Sequence, residues 1–342
     1  MINTEAVNIG IIGGGIRGSM FARGIRENPA ANLVALCDPS QPTRAKAAAD
    51  HSIPVFESVE SMVQAHPEIT AVVVATPDFA HRDAAVFCAA KGLDLMIEKP
   101  LATTVEDAAA INDAADASGA RVMVGFENRW NTRFEAVRNL IQDGSNGTVV
   151  NQFINLNDTI FVPTKMLSWA AKSSPAWFLM PHSLDLAIWI GGAVPTSVSA
   201  QGSKRVLAGI GVDTWDSITA TFTMSDGSYV VLNSSWILPE SAPAVFDFRY
   251  EIQTTNSAFH IDGATHGITH LSPTSNSWPQ LGVTERNGRI TGVPVDMVNS
   301  FVDFLNGTNT DVPQGADGFL ITQAIAAVHE SLEQNIPVKI SL

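Results

Sequence analysis

Apolar residues are distributed in two textures along this chain of 342 residues. Up to Gly125, short β-branched runs alternate with longer stretches rich in Ala and charge. The runs 7–12, 33–37, 71–75, 93–97 and 122–124 are apolar almost throughout, as strands covered on both faces are. Segments 43–50, 79–91 and 105–118 predict the intervening helices, the last stopped by Gly119. This alternation predicts βαβ units and a parallel sheet. After Trp130 the period changes. A helix is predicted at 134–142 and a strand at 148–157. Further strands follow at 198–206, 217–224, 228–236, 248–254 and 258–261, with Ser225-Asp226-Gly227 as a hairpin turn. Segment 175–190 is the helical exception in this half and carries His182, Asp185 and Trp189. Helices at 295–305 and 318–334 and a strand at 338–340 close the chain, which shows no internal repeat.

The change of texture predicts two domains, residues 1–125 and 126–342, with the C-terminal helices packing back on the first. The length fits two domains at roughly 150 residues each. Composition narrows the partners: a formal net charge of −14 repels phosphate backbones and anionic lipid, so neither nucleic acid nor membrane is expected. Cys37 and Cys88 lack C-x-x-C spacing, which fits a reducing cytoplasm, and the N-terminus has no secretory pattern. No apolar run approaches the roughly 18 residues of a membrane span.

Chemistry enters at the first turn. Gly13-Gly14-Gly15-Ile16-Arg17-Gly18 is a G-x-G-x-x-G directly after a strand and at the start of a helical stretch. Gly13 permits the tight turn, Gly15 the approach of a pyrophosphate, and Gly18 close helix packing, with the helix N-terminus supplying N–H groups. Asp38 lies 20 residues beyond Gly18 at the end of the second apolar run. A carboxylate there accepts from the adenosine ribose and repels a 2′-phosphate, favouring NAD over NADP. Arg44, in the next helix, keeps NADP open, and FAD uses a similar fingerprint.

Two further motifs follow strands: Ala75-Thr76-Pro77-Asp78-Phe79-Ala80-His81 and Glu98-Lys99-Pro100. Together with the glycine loop they resemble the Gfo/Idh/MocA family, the glucose–fructose oxidoreductase and inositol dehydrogenase group, over nearly the whole chain. The resemblance implies an α/β fold: an N-terminal Rossmann domain with a doubly wound parallel sheet, then a C-terminal α/β domain with an open, mostly antiparallel sheet. It implies an NAD(P)-dependent dehydrogenase taking a hydride from a hydroxyl of an inositol, sugar or sugar derivative. It also implies a homo-oligomer, dimer or tetramer, through the second domain. Lys99 would act at the substrate hydroxyl, Glu98, Thr76 and Pro77 would line the cofactor, and His81 would hold that loop.

The family's second-domain helix reads D-x-x-x-H-x-x-D, with His as acid/base. This chain keeps His182 and Asp185 but has Phe178 where the first Asp is expected. His182 is read as the acid/base, and Asp185, on the same helix face, as a substrate ligand or as orienting the imidazole. Asp158 and Lys165 are candidate polyol ligands, with an ordinary surface ion pair as the alternative. Asn128 and Arg129 either face the cleft or serve packing. His260, His266 and His270 match no zinc signature, and no metal is expected. Two alternatives to the dehydrogenase stay open: a dinucleotide-binding regulatory relative, and a redox-assisted hydrolase or lyase with retained NAD.

Overall fold

The computed structural model describes residues 6–279 and 282–341. The chain forms two compact units. One runs to Glu127 and takes in Gly282–Phe319; the other begins at Asn128 and includes the C-terminal stretch from Leu320.

The first unit is built on β1 (Val7–Ile12), α1 (Ile16–Glu27), β2 (Ala31–Cys37), α2 (Gln41–His51), β3 (Val55–Phe56), α3 (Val59–Ala65), β4 (Ala71–Val74), α4 (His81–Ala89), β5 (Asp94–Glu98), α5 (Val105–Ser118) and β6 (Val122–Gly125). Its sheet has the order β3-β2-β1-β4-β5-β6, parallel at every pair. This is the doubly wound Rossmann arrangement, with the order reversing between β1 and β4, where such sheets bind ligands. The apolar runs read from sequence are these strands, and β4 and β6 are buried at every residue. The sequence reading missed β3 and α3. A two-residue strand and a seven-residue helix capped by Ser58 are too short for periodicity to register.

The second unit contains α6 (Thr132–Gln142), β7 (Val149–Thr159), α7 (Pro175–Gly191), β8 (Pro195–Ser203), a single turn α8 (Val206–Gly209), β9 (Ser217–Met224), β10 (Tyr229–Leu238), β11 (Phe246–Thr254), β12 (Ala258–Asp262) and the short β13 (His270–Leu271) and β14 (Asn276–Ser277). The chain re-enters the first unit with β15 (Thr284–Arg286), β16 (Arg289–Thr291) and α9 (Val293–Leu305). It ends with α10 (Gly315–Gln334) and β17 (Val338–Lys339). The second sheet is β12-β11-β7-β10-β9-β8-β17, antiparallel except for the β7–β10 pair. Along β9, Ile218, Ala220, Phe222 and Met224 are buried while Thr219, Thr221 and Thr223 are exposed. One face of the sheet therefore packs, with α7 lying against β7, β9 and β10, and the other carries polar residues.

The strand expected at 198–206 stops at Ser203. The buried carboxylate of Asp216 accepts backbone N–H groups from Arg205, Val206 and Leu207 at 2.6–2.8 Å, and this turns the chain into α8. In the first unit, α9 lies on α1, where Gly24 leaves room for Val295 and Val298. Arg121 closes the end of α9 by donating to the carbonyls of Phe304 and Leu305.

Two stability predictions follow. A Cβ at Gly18 would stand 1.8 Å from the carbonyl oxygen of Gly13, so Gly18→Ala forces α1 away from β1. A urea titration should record a loss of about 2 kcal/mol or more. In the second unit, His329 stacks on Trp177 (centroids 5.4 Å, 15° between planes), with Nε2 3.0 Å from Ser174 Oγ. Burial, helped by the charge of Lys204, pushes its pKa down to about 4. The unfolded chain binds this proton near the ordinary value of 6.5, the native chain only near 4. Stability is therefore lost as pH falls from about 6.5 to about 4, by an amount on the order of 3 kcal/mol. The slope of unfolding free energy over that window should be shallower in His329→Gln than in the wild type.

Candidate functional site

In the first unit the candidate residues gather at the carboxyl ends of the parallel strands. Gly13 has φ +96°, and a Cβ there would meet the Ala75 carbonyl at 2.7 Å, so the turn after β1 passes against the end of β4. Above Gly15 a Cβ would find nothing within 4 Å. Gly15 is the N-cap of α1, no side chain caps its first N–H groups, and the first turn holds no acidic residue. An open cradle facing an uncapped helix N-terminus suits an anionic diphosphate. Asp38, at the end of β2, accepts from the N–H of Gly14 through Oδ2 and of Ser40 through Oδ1, each at 2.8 Å. The carboxylate is thereby fixed beside the glycine loop. Arg44 donates to the carbonyls of Asp38 and Pro39 at 2.7 and 3.0 Å.

The Thr76-Pro77 turn and the Lys99-Pro100 turn are joined through His81. Its Nδ1 lies 2.8 Å from the Pro100 carbonyl and its Nε2 3.1 Å from that of Thr76. Burial lowers the pKa of this imidazole, against the pull of both carbonyls and of Asp78 and Glu98.

Glu98 ends β5 and is buried. Its Oε1 accepts from Arg17 Nε at 2.7 Å and meets Nη2 at 2.6 Å, and its Oε2 accepts the backbone N–H of Lys99 at 3.2 Å. Arg17 Nη2 also lies 2.8 Å from Glu127 Oε2, just beyond the end of β6. Burial opposes the charge on Arg17, but Glu127 and Glu98 outweigh it and raise its pKa. Desolvation lowers the pKa of the Lys99 ammonium, with Glu98 and Asp78 opposing that shift. In the sequence Arg17 reads only as part of the glycine fingerprint, and Glu127 stands in a loop after an apolar run. The available signal is position: Glu98 is the last residue of β5, and Glu127 lies just beyond the end of its parallel neighbour β6.

In the second unit, His182 lies on α7 directly after Pro181, which cannot donate to the carbonyl four residues before it. His182 Nδ1 is 3.4 Å from Asn128 Nδ2. Asp185 is held bidentately by Arg129, with contacts of 2.6–3.2 Å and side-chain exposures of 2% and 11%. Its carboxylate is thus part of an internal ion pair. Phe178 packs edge-on against Trp169 and Trp236, at centroid distances of 6.1 and 5.7 Å. Asp158 is buried on β7. Lys165 is exposed and pairs with Glu240 at 2.7 Å, the contact of a surface ion pair. Among the described residues, no three His, Cys, Asp or Glu side chains converge as a metal ion requires.

A doubly wound parallel sheet with an open glycine cradle, an acidic residue after β2 and a desolvated lysine after β5 defines a dinucleotide-binding oxidoreductase. Comparison with known proteins gives the same class. Residues 7–126 match the model described as oxidoreductase family, NAD-binding Rossmann fold, and residues 134–260 match the Gfo/Idh/MocA C-terminal domain. The chain belongs to the Gfo/Idh/MocA oxidoreductase family. An inositol 2-dehydrogenase of Rhizobium meliloti (strain 1021) is 28% identical over 255 residues, 74% of each chain. An NAD(+) scyllo-inositol 2-dehydrogenase of Bacillus subtilis (strain 168) is 25% identical over 279 residues, 80% of this chain and 79% of that protein. A crystal structure of scyllo-inositol dehydrogenase from Lactobacillus casei, with bound NAD(H) and scyllo-inositol, shares the fold with a TM-score of 0.81. That match covers 98% of this chain and 99% of the other at 19% identity.

Removing one partner of the Arg129–Asp185 pair leaves a buried charge unpaired. Arg129→Met should lower unfolding stability at neutral pH by about 3–5 kcal/mol, measured by urea denaturation. A loss below about 1 kcal/mol, the range of an exposed pair, would show that the pair is not desolvated.

Proposed function

We propose that the chain is an NAD-dependent dehydrogenase that oxidises a secondary hydroxyl of an inositol or a related sugar. The observation that carries this reading is the gathering of the glycine cradle, the Asp38 carboxylate and the desolvated Lys99 at the strand ends of one parallel sheet. The inositol dehydrogenases among its relatives support the substrate class.

Gly13, Gly15 and Gly18, with the backbone of Ile16 and Arg17, would hold the dinucleotide diphosphate, and Asp38 its ribose. Thr76, Pro77 and Glu98 would line the nicotinamide end, with His81 holding the two turns. When bound, the nicotinamide supplies the hydride acceptor. Lys99 stabilises the negative charge that develops on the substrate oxygen, and His182 accepts the hydroxyl proton. Asn128 and the Arg129–Asp185 pair support the His182 helix, and Asp158 is retained as a polyol ligand. Lys165, exposed on Glu240, is the weakest of the proposed substrate contacts. The negative charge of Asp38 and the engagement of Arg44 with backbone carbonyls favour NAD over NADP. The protein is read as a cytoplasmic homo-oligomer, a dimer or tetramer. The two buried thiols, neither in a disulfide, support the reducing compartment, and the oligomeric state rests on the family resemblance. Among the described residues no helix is long and apolar enough to cross a membrane.

The aromatic packing of Phe178, where the family has an acidic residue, supports a second reading: a coenzyme-binding regulatory relative. A panel of inositols and sugars with NAD and NADP, followed at the nicotinamide absorbance, separates the two. Reduction with at least one inositol is expected; tight NADH binding without turnover on any polyol favours the second reading. Given a substrate, Lys99→Met and His182→Ala should each lose about 10²–10⁴-fold in kcat with coenzyme affinity little changed. Native turnover in either variant removes that residue from the chemistry. Asp38→Ser should lower the preference for NAD over NADP at least about tenfold, equivalent to about 1.4 kcal/mol.

A further inference from the structure

Arg17 does more in this fold than occupy a variable place in the glycine fingerprint. It is the second residue of α1, and its guanidinium reaches two carboxylates at the ends of neighbouring strands, Glu98 closing β5 and Glu127 just beyond β6. Glu98 is gripped at Oε1 by two nitrogens of Arg17, and its Oε2 takes the N–H of Lys99. Both oxygens are thus engaged, which fixes the plane of the carboxylate and the backbone at residue 99 together. Glu127 meets the same Arg17 nitrogen that contacts Glu98. Because that nitrogen is shared, a change at Glu127 is felt at Glu98.

We propose that Arg17 and Glu127 are positioning residues for Lys99: the Glu127–Arg17–Glu98 chain of charges holds the Glu98 carboxylate in place and, through its bond from the Lys99 N–H, the turn that carries the lysine. The proposal rests on the reading of Lys99 as the group that stabilises the substrate oxygen, and it adds what holds the turn that carries that lysine. The charged groups acting on Lys99 are Glu98 on β5, Asp78 in the turn after β4, Arg17 on α1 and Glu127 after β6. Glu98, Asp78 and Glu127 favour the ammonium, while Arg17 and burial disfavour it. The two outer members of the chain therefore act on Lys99 with opposite sign. A structural brace has no such signature, since removing either of its halves loosens the same contact in the same sense.

The test reads Lys99 directly, without substrate. The protein is labelled at the lysine ε position, Lys99 is assigned as the resonance missing from Lys99→Met, and its midpoint is followed by NMR across alkaline pH in the full chain. Arg17→Met removes a positive neighbour, and the Lys99 midpoint should rise; Glu127→Gln removes a negative one, and it should fall, by the smaller amount of the two. Glu127→Gln keeps the Arg17–Glu98 pair, so its fall decides the matter even where Arg17→Met does not fold. Opposite shifts support the proposal. An unmoved midpoint in Glu127→Gln, or shifts of the same sign in both variants, would overturn it. Native turnover in Lys99→Met would instead reject the catalytic reading of the lysine, a separate result because the titration needs no substrate.

Discussion

The ion pair between Arg17 and Glu98 joins the glycine fingerprint to the Lys99 turn, and most of the first unit's chemistry is arranged around it. Eighty-one residues separate the two side chains in sequence. They meet because β1 lies beside β4 and β4 beside β5 in one parallel sheet, so the loops after these strands open on the same edge. Partial burial makes the contact consequential: an exposed pair of this kind contributes little, whereas a desolvated carboxylate left alone is costly. Glu98 thus depends on Arg17, the backbone of Lys99 depends on Glu98, and the His81 bonds hold the adjoining turns.

The same edge shows how an acidic protein accommodates an anionic ligand. The net charge of −14 is a property of the whole chain, while the start of α1 has neither an acidic residue nor a capping side chain. Partial positive charge on backbone N–H groups falls off within a turn, so it acts where the glycine loop lets a ligand approach closely. Two backbone donors hold the Asp38 carboxylate rigid beside this loop, and the proposed preference for NAD would arise there.

Much of this was legible in the sequence, for physical reasons that differ between residues. The parallel strands announced themselves because burial on both faces demands uninterrupted apolar runs. Gly13 and Gly18 could be read because a Cβ at either place collides with backbone. Long-range side-chain pairing was not legible. Glu127 looks like any glutamate in a loop until β6 sets it next to Arg17, and Asp216 gives no sign that it will gather three N–H groups and end β8 early. Asp185 is similar: its spacing from His182 suggested a substrate ligand or a partner for the imidazole, and gave no sign of its bidentate contact with Arg129. The return of residues 282–319 to the first unit was only partly foreseeable, since the amphipathic face of α9 shows that it packs but not on which helix.

The central claim is that a carbinol hydrogen leaves the substrate as hydride. The most direct measurement is turnover of carbinol-deuterated myo-inositol with NAD, with mass analysis of the reduced coenzyme. The account predicts one deuterium in each NADH formed. Reduced coenzyme carrying no deuterium, or consumption of the inositol without any carbinol-derived label reaching the nicotinamide, would contradict it.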